Sequence, residues 1–142
     1  MSDGEDKRKH LEFIQGVINR LASNTFLFKG WSITITCAVL AAIVATSNIK
    51  FAWIIIGTAV VFWLVDAYYL MLERQYRQLY SEVSAREPGD IDYSMKVAGK
   101  CNIRNFMGAV MRPILLLFYG SIIVVSFCII FFSNYSIYIT SR

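Results

Sequence analysis

Residues 51–85 read FAWIIIGTAVVFWLVDAYYLMLERQYRQLYSEVSA. Residues 51–72 are apolar apart from glycine, threonine, aromatic ring hydroxyls and one carboxylate, Asp66. A run of about 20 such residues is long enough to cross a bilayer as a helix. The next residues, 73–85, are good helix formers with no stop signal. The sequence therefore predicts one helix from the apolar run to about Ala85, where Arg86-Glu87-Pro88-Gly89-Asp90 breaks it. A charge at the centre of a membrane helix costs roughly 2.5–3.5 kcal/mol on insertion scales and usually faces a bundle interior or a watery cavity. Asp66 thus points to a multi-helix membrane assembly with a polar interior, such as a channel, transporter or sensor.

Two further apolar runs flank this helix. Residues 26–47 form the first, interrupted only by Lys29, which is expected to snorkel to the interface beside Trp31. Ser47-Asn48-Ile49-Lys50 joins it to the central helix, and so short a link forces an antiparallel hairpin. Residues 113–132 form the last run, with Pro113 suited to a first helical turn and Asn134, Tyr135 and Tyr138 marking the far interface. The 142 residues are 56% hydrophobic and only 17% charged, with a mean hydropathy of +0.50. A soluble domain of this size needs more charge to cover its surface. The reading is an all-α integral membrane protein of three transmembrane helices. It divides into an amphipathic N-terminal helix (1–25), a transmembrane hairpin (26–72), a basic cytosolic segment (73–112) and a third span with a short outer tail (113–142).

Charge sets the expected orientation. Of the 14 Lys and Arg residues, only Lys50 and Arg142 fall on one side; the other 12 lie in the N-terminal flank and the central segment. The positive-inside rule then places the N-terminus and the central segment in the cytosol and the C-terminus outside. MSDGEDKRKH at the start has no apolar core or cleavage site, so no signal peptide is expected. Cys37, Cys101 and Cys128 are far apart, lack metal-ligand spacing and read as small apolar residues. With so little chain outside, any ligand is expected from the cytosol.

The polar parts carry three patterns. In 10–25, Phe13, Ile14, Val17, Ile18 and Leu21 recur at helical spacing, with Ser23-Asn24-Thr25 as a break before the first span. This helix either lies on the inner leaflet or packs on the cytosolic core of an oligomer. On the central helix, Asp66, Tyr69, Glu73, Tyr76 and Tyr80 share a face. Asp66, Tyr69, Glu73 and Tyr76 are the pore-lining candidates, with the carboxylates as acidic rings; the plainer alternative is belt tyrosines and a routine Glu73–Arg77 surface pair. In 91–112, Lys96, Lys100, Arg104 and Arg112 form a basic stripe if the segment is helical, although Gly99 and Gly108 weaken it. Together with Arg74 and Arg77, Lys96, Lys100 and Arg104 are candidates for an oligonucleotide or nucleotide ligand, and anionic lipid headgroups are the alternative partner. Ala38, Ala41, Ala42 and Ala45 make a small-residue packing seam.

No phosphate loop, nucleophile elbow or His/Cys cluster is present. Asp66 and Glu73 lie roughly 10 Å apart along a helix, too far for shared acid–base work. Neither an enzyme nor a cofactor or metal is expected.

HLEFIQGVINRLASNTFLFKGW (residues 10–31) and FWLVDAYYLMLERQYRQLYSEV (residues 62–83) resemble the HalB-type membrane effectors of the Hailong anti-phage defence system, small bacterial membrane proteins often encoded beside nucleotidyltransferase-like genes. The resemblance covers about the first 85 residues; the third span is generic. It implies a homo-oligomeric, tetrameric ion channel held closed by DNA oligomers from the partner nucleotidyltransferase and opened when they are lost. It carries over no residue-level binding motif. Two readings stand at this point: a ligand-gated pore, with a holin-like constitutive pore as its variant, and a non-channel anchor or regulatory subunit. The topology is directly testable. A C-terminal fusion should be active with a reporter that works only outside the cytosol and silent with one that works only inside; the reverse result contradicts the three-span order.

Overall fold

A computed structural model describes residues 3–97 and 102–140. The described residues are helical: α1 (Asp3–Thr46), α2 (Ala52–Ala85), α3 (Ile103–Val110) and α4 (Pro113–Thr140), with 3-10 turns at Ile49–Phe51 and Pro88–Asp90. Three helices are long and apolar enough to cross a membrane. The central helix ends where the sequence places its end, at Ala85, with Arg86 extended.

α1 departs from expectation. Ser23-Asn24-Thr25 does not break it, and its 44 residues form one helix about 66 Å long at 1.5 Å per residue. The Thr25 hydroxyl donates to the Leu21 carbonyl one turn back (3.2 Å), so the polar side chain is satisfied inside the helix. The predicted amphipathic helix is therefore the polar half of α1. Its apolar face packs on the polar extension of α2, in a cluster of Ile14, Ile18, Leu79, Val83 and Ile91 with Leu11 and Tyr76 at its edge. Phe13, by contrast, is 70% exposed.

α1 and α2 run antiparallel over their whole length. Ser47 adopts φ 52° in the link, a left-handed conformation that costs a non-glycine residue about 1 kcal/mol. Asn48 Oδ1 accepts from the Lys50 N–H (3.1 Å) and holds the turn that starts α2. At the opposite end Lys7 Nζ donates to the carbonyls of Ser84 (3.0 Å) and Arg86 (2.7 Å). These are carbonyls that the end of α2 leaves without helical partners, and a cation suits that end of the helix dipole.

The apolar core sits where α3 and α4 meet α2. Ala59, Ala67 and Met71 of α2 pack with Ala109, Val110, Leu115 and Tyr119. Two alanines on α2 let the helices approach closely, the device that matters most where lipid supplies no hydrophobic drive. Trp63 Nε1 donates to the Val110 carbonyl (3.1 Å) and ties the end of α3 to α2. The segment 91–112 is not one basic helix. Ile91–Val97 is irregular, Asn102 caps α3 by accepting from Arg104 N–H, and α3 lasts only eight residues. Lys96 lies in the irregular stretch and Arg104 in α3, so they share no helical face; Gly99 and Lys100 fall in 98–101, outside the described residues. Residues 134–140 continue α4.

The α1–α2 cluster makes a testable claim. Ile14 is fully buried and Ile33 is 49% exposed. Ile14→Ala should cost about 2–5 kcal/mol, the usual range for emptying a core site, and Ile33→Ala much less. Unfolding titrations in mild detergent measure both; equal effects would remove the polar half of α1 from the core.

Candidate functional site

Asp66 lies where α1, α2 and α4 converge. Its side chain is fully buried, and Oδ2 accepts from Lys29 Nζ at 2.6 Å and from the Tyr119 hydroxyl at 3.2 Å. Tyr119 is itself fully buried and stacks on Trp63, with centroids 6.4 Å apart and planes 12° from parallel. Lys29 does not snorkel outward: it turns into the hairpin, leaving 21% of its side chain exposed. The physical reason is the partner. An ammonium that meets a carboxylate in an apolar setting gains more from a short charge-assisted bond than from reaching for a distant interface. The contact is incomplete, because Asp66 Oδ1 and the buried Ser32 Oγ, one turn along α1 from Lys29, make no hydrogen bond.

The four pore-lining candidates do share a face, and within the protomer that face is turned toward α1. Tyr69 meets Phe28 edge to face at 5.0 Å, and Tyr76 borders the Ile14 cluster. Glu73 is bonded by Arg77 at 2.8 Å, with 13% of its side chain exposed. Within this chain Asp66 is covered by Lys29 of α1 and Tyr119 of α4, and Glu73 is paired with Arg77. The outward surface of α1 carries a small-residue stripe of Thr34, Cys37, Ala38, Ala41 and Ala45 beside the bulky Phe26, Trp31, Ile33 and Val44, and α2 presents Trp53, Val60, Val61, Leu64 and Tyr68.

The basic candidates separate into three environments. Arg74 and Arg104 come together around a cavity of about 350 Å³ that Gln75, Gln78 and Asn105 also line. Arg77 lies outside that cavity, paired with Glu73. Lys96 sits with Glu82, Arg86 and Asp92 around a smaller hollow of about 200 Å³. Lys100 is outside the described residues. A further hollow of about 690 Å³ lies between α1 and the irregular segment, where His10, Phe13, Val17, Tyr93 and Met95 line it. The His10 ring meets Tyr93 edge-on at 5.5 Å.

Comparison with protein-family models, curated proteins and solved structures finds no match for this chain. Its chemistry is therefore read from the geometry alone. The Lys29–Asp66–Tyr119 contact lines none of the three cavities described above and joins α1, α2 and α4. Tyr119 and Trp63 carry no motif, but Lys29 was findable. It lies 19 residues before Asn48 and Asp66 lies 18 after it, so an antiparallel hairpin turning at Asn48 sets them side by side.

Removing one member of a buried pair costs about 3–5 kcal/mol, because the other is left uncompensated; the partial exposure of Lys29 puts this pair at the low end. Asp66→Leu and Lys29→Met should each destabilise the protein by about 3 kcal/mol, and the double variant by clearly less than either. Thermal unfolding in detergent of the four proteins closes the cycle. Additive losses would mean that the two side chains do not interact.

Proposed function

We propose that this chain is the membrane subunit of a homo-oligomeric pore in the bacterial cytoplasmic membrane, oriented with its N-terminus in the cytosol. Its pore is gated by a cytosolic nucleic-acid or nucleotide oligomer, as in an anti-phage effector supplied by a partner nucleotidyltransferase. The observation that carries this reading is the Lys29–Asp66–Tyr119 contact, a charged clamp joining three apolar helices. Such a pair contributes little net stability compared with apolar packing of the same volume, and charged groups inside membrane helices characteristically serve ion pathways and switches.

Two further features support it. α2 runs unbroken from Asp66 to Arg74, eight residues or about 12 Å, so a ligand held at Arg74 is mechanically tied to the clamp. The small-residue face of α1 suits close helix contact with a second copy, and four-fold assembly is the arrangement proposed. In the resting state the α1–α2 seam is closed. In the open state the seam parts, and Asp66, Tyr69, Glu73 and Tyr76 become the polar lining that ions require. Arg74, Arg77, Lys96, Lys100 and Arg104 are the proposed polyanion contacts. The closure of the seam around Asp66 is also what favours the second reading, a non-channel anchor or regulatory subunit in which the pair is only structural.

Liposome flux decides between them. Reconstituted protein should pass ions, and short DNA oligomers should change that flux. Asp66→Asn should alter conductance in either state. Oligomer affinity should also fall about 100-fold over a tenfold rise in salt if three phosphate contacts form, at roughly 0.7 log units per contact on single strands. Sealed liposomes under all conditions, with assembly intact, would leave the anchor. Salt-independent binding would remove the polyanion ligand.

A further inference from the structure

We infer that the cavity between α2 and α3 is a site for a single phosphate-ester group at the level of the lipid headgroups. The cavity holds about 350 Å³ and is lined by Arg74, Gln75, Gln78, Arg104 and Asn105, with no acidic residue among its walls. Two of its donors, Arg74 Nη2 and Gln75 Nε2, are buried and make no hydrogen bond. The nearby carboxylates on α2 are engaged elsewhere, Glu73 by Arg77 and Glu82 by the Gln78 amide. Neither Arg74 nor Arg104 forms an ion pair among the described residues.

Two guanidinium groups around one cavity repel each other, and buried N–H donors without acceptors are unfavourable. A tetrahedral phosphate answers both: it brings negative charge, and its oxygens match the planar fork of arginine. The volume suits more than a bare ion. It falls in the range of small-ligand pockets and leaves room for the alcohol that the phosphate esterifies.

The depth follows from the same elements. Arg74 comes two residues after the apolar run that ends at Leu72. α3 turns Ala109 and Val110 inward and leaves Ile103 77%, Met107 45% and Met111 57% exposed on its other side. A short helix with exposed apolar side chains and Arg104 beside the cavity suits the boundary between headgroups and acyl chains. The phosphate of an anionic lipid and a soluble phosphate monoester present the same chemistry there. The inference shares Arg74 and Arg104 with the polyanion proposal but needs only one phosphate group and no pore, so the two fail separately.

The test uses the full chain in dodecyl maltoside micelles, which are uncharged and phosphate-free. Thermal unfolding is followed by tryptophan fluorescence during titration with short-chain phosphatidylglycerol, with glycerol 3-phosphate, and with sodium chloride at equal ionic strength. At least one phosphate source should raise the midpoint saturably by several degrees while chloride does not. A response to the lipid alone identifies a headgroup site, and a response to glycerol 3-phosphate identifies a soluble phosphate ester. Arg74→Gln and Arg104→Gln should weaken the apparent affinity at least tenfold, and Arg20→Gln, an exposed cation on α1, should not. Arg104 is itself exposed, so its variant carries the test if Arg74→Gln fails to fold. No shift with either source, a shift reproduced by chloride, or an unchanged response in Arg104→Gln overturns the inference.

Discussion

The structure depends on one electrostatic constraint: Asp66, enclosed by apolar helices, needs a partner, and the chain supplies two. Lys29 bonds it from α1 at 2.6 Å and Tyr119 from α4 at 3.2 Å. A one-residue slip of either helix would rotate the partner by about 100° and leave a buried carboxylate unpaired, at a cost of several kcal/mol. Apolar contacts alone tolerate such slips, since a Leu or Ile side chain packs against many neighbours. The charged contact therefore sets register, and the apolar cluster of Ala59, Ala67, Leu115 and Tyr119 fills the space that this register defines.

The same register explains why α1 and α2 stay together beyond their apolar halves. Once Lys29 faces Asp66, the rest of α1 is already laid along α2. Ile14 and Ile18 reach Leu79 and Val83, and Lys7 reaches the last carbonyls of α2. The hairpin is thus a continuous pair of rods, clamped by charge in its apolar part and by aliphatic packing in its polar part. A rod transmits displacement without a chain of side-chain rearrangements, and the proposed coupling of Arg74 to Asp66, eight positions apart on α2, relies on that.

Much of this is legible in the sequence. The apolar runs gave three helices, and the Arg86-Glu87-Pro88-Gly89-Asp90 cluster marked the end of α2. The continuity of α1 was hidden because Ser23-Asn24-Thr25 has breaker composition, whereas in the fold Thr25 bonds back to Leu21 and α1 packs along α2, which composition does not report. The Asp66–Tyr76 face was recognised as a face, but the sequence does not say whether a polar face meets a neighbouring copy or a neighbouring helix of the same chain. Helical spacing could not place Lys96 and Arg104, because the capping Asn102 starts a new helix between them. Tyr119 escaped notice because a tyrosine six residues into an apolar run resembles any interfacial aromatic.

The clamp is also unfinished, and that bears on what it does. Asp66 uses one oxygen for both partners, while Oδ1 and the adjacent Ser32 hydroxyl make no hydrogen bond although both are enclosed. A carboxylate kept solely for stability would have both oxygens satisfied, because a half-satisfied buried network is less stable than an apolar core of the same shape. Oδ1 keeps acceptor capacity that neither Lys29 nor Tyr119 uses. The interaction that fixes the register therefore leaves part of its own polar capacity unused. The proposed parting of the α1–α2 seam has to break this contact, which the anchor reading leaves intact.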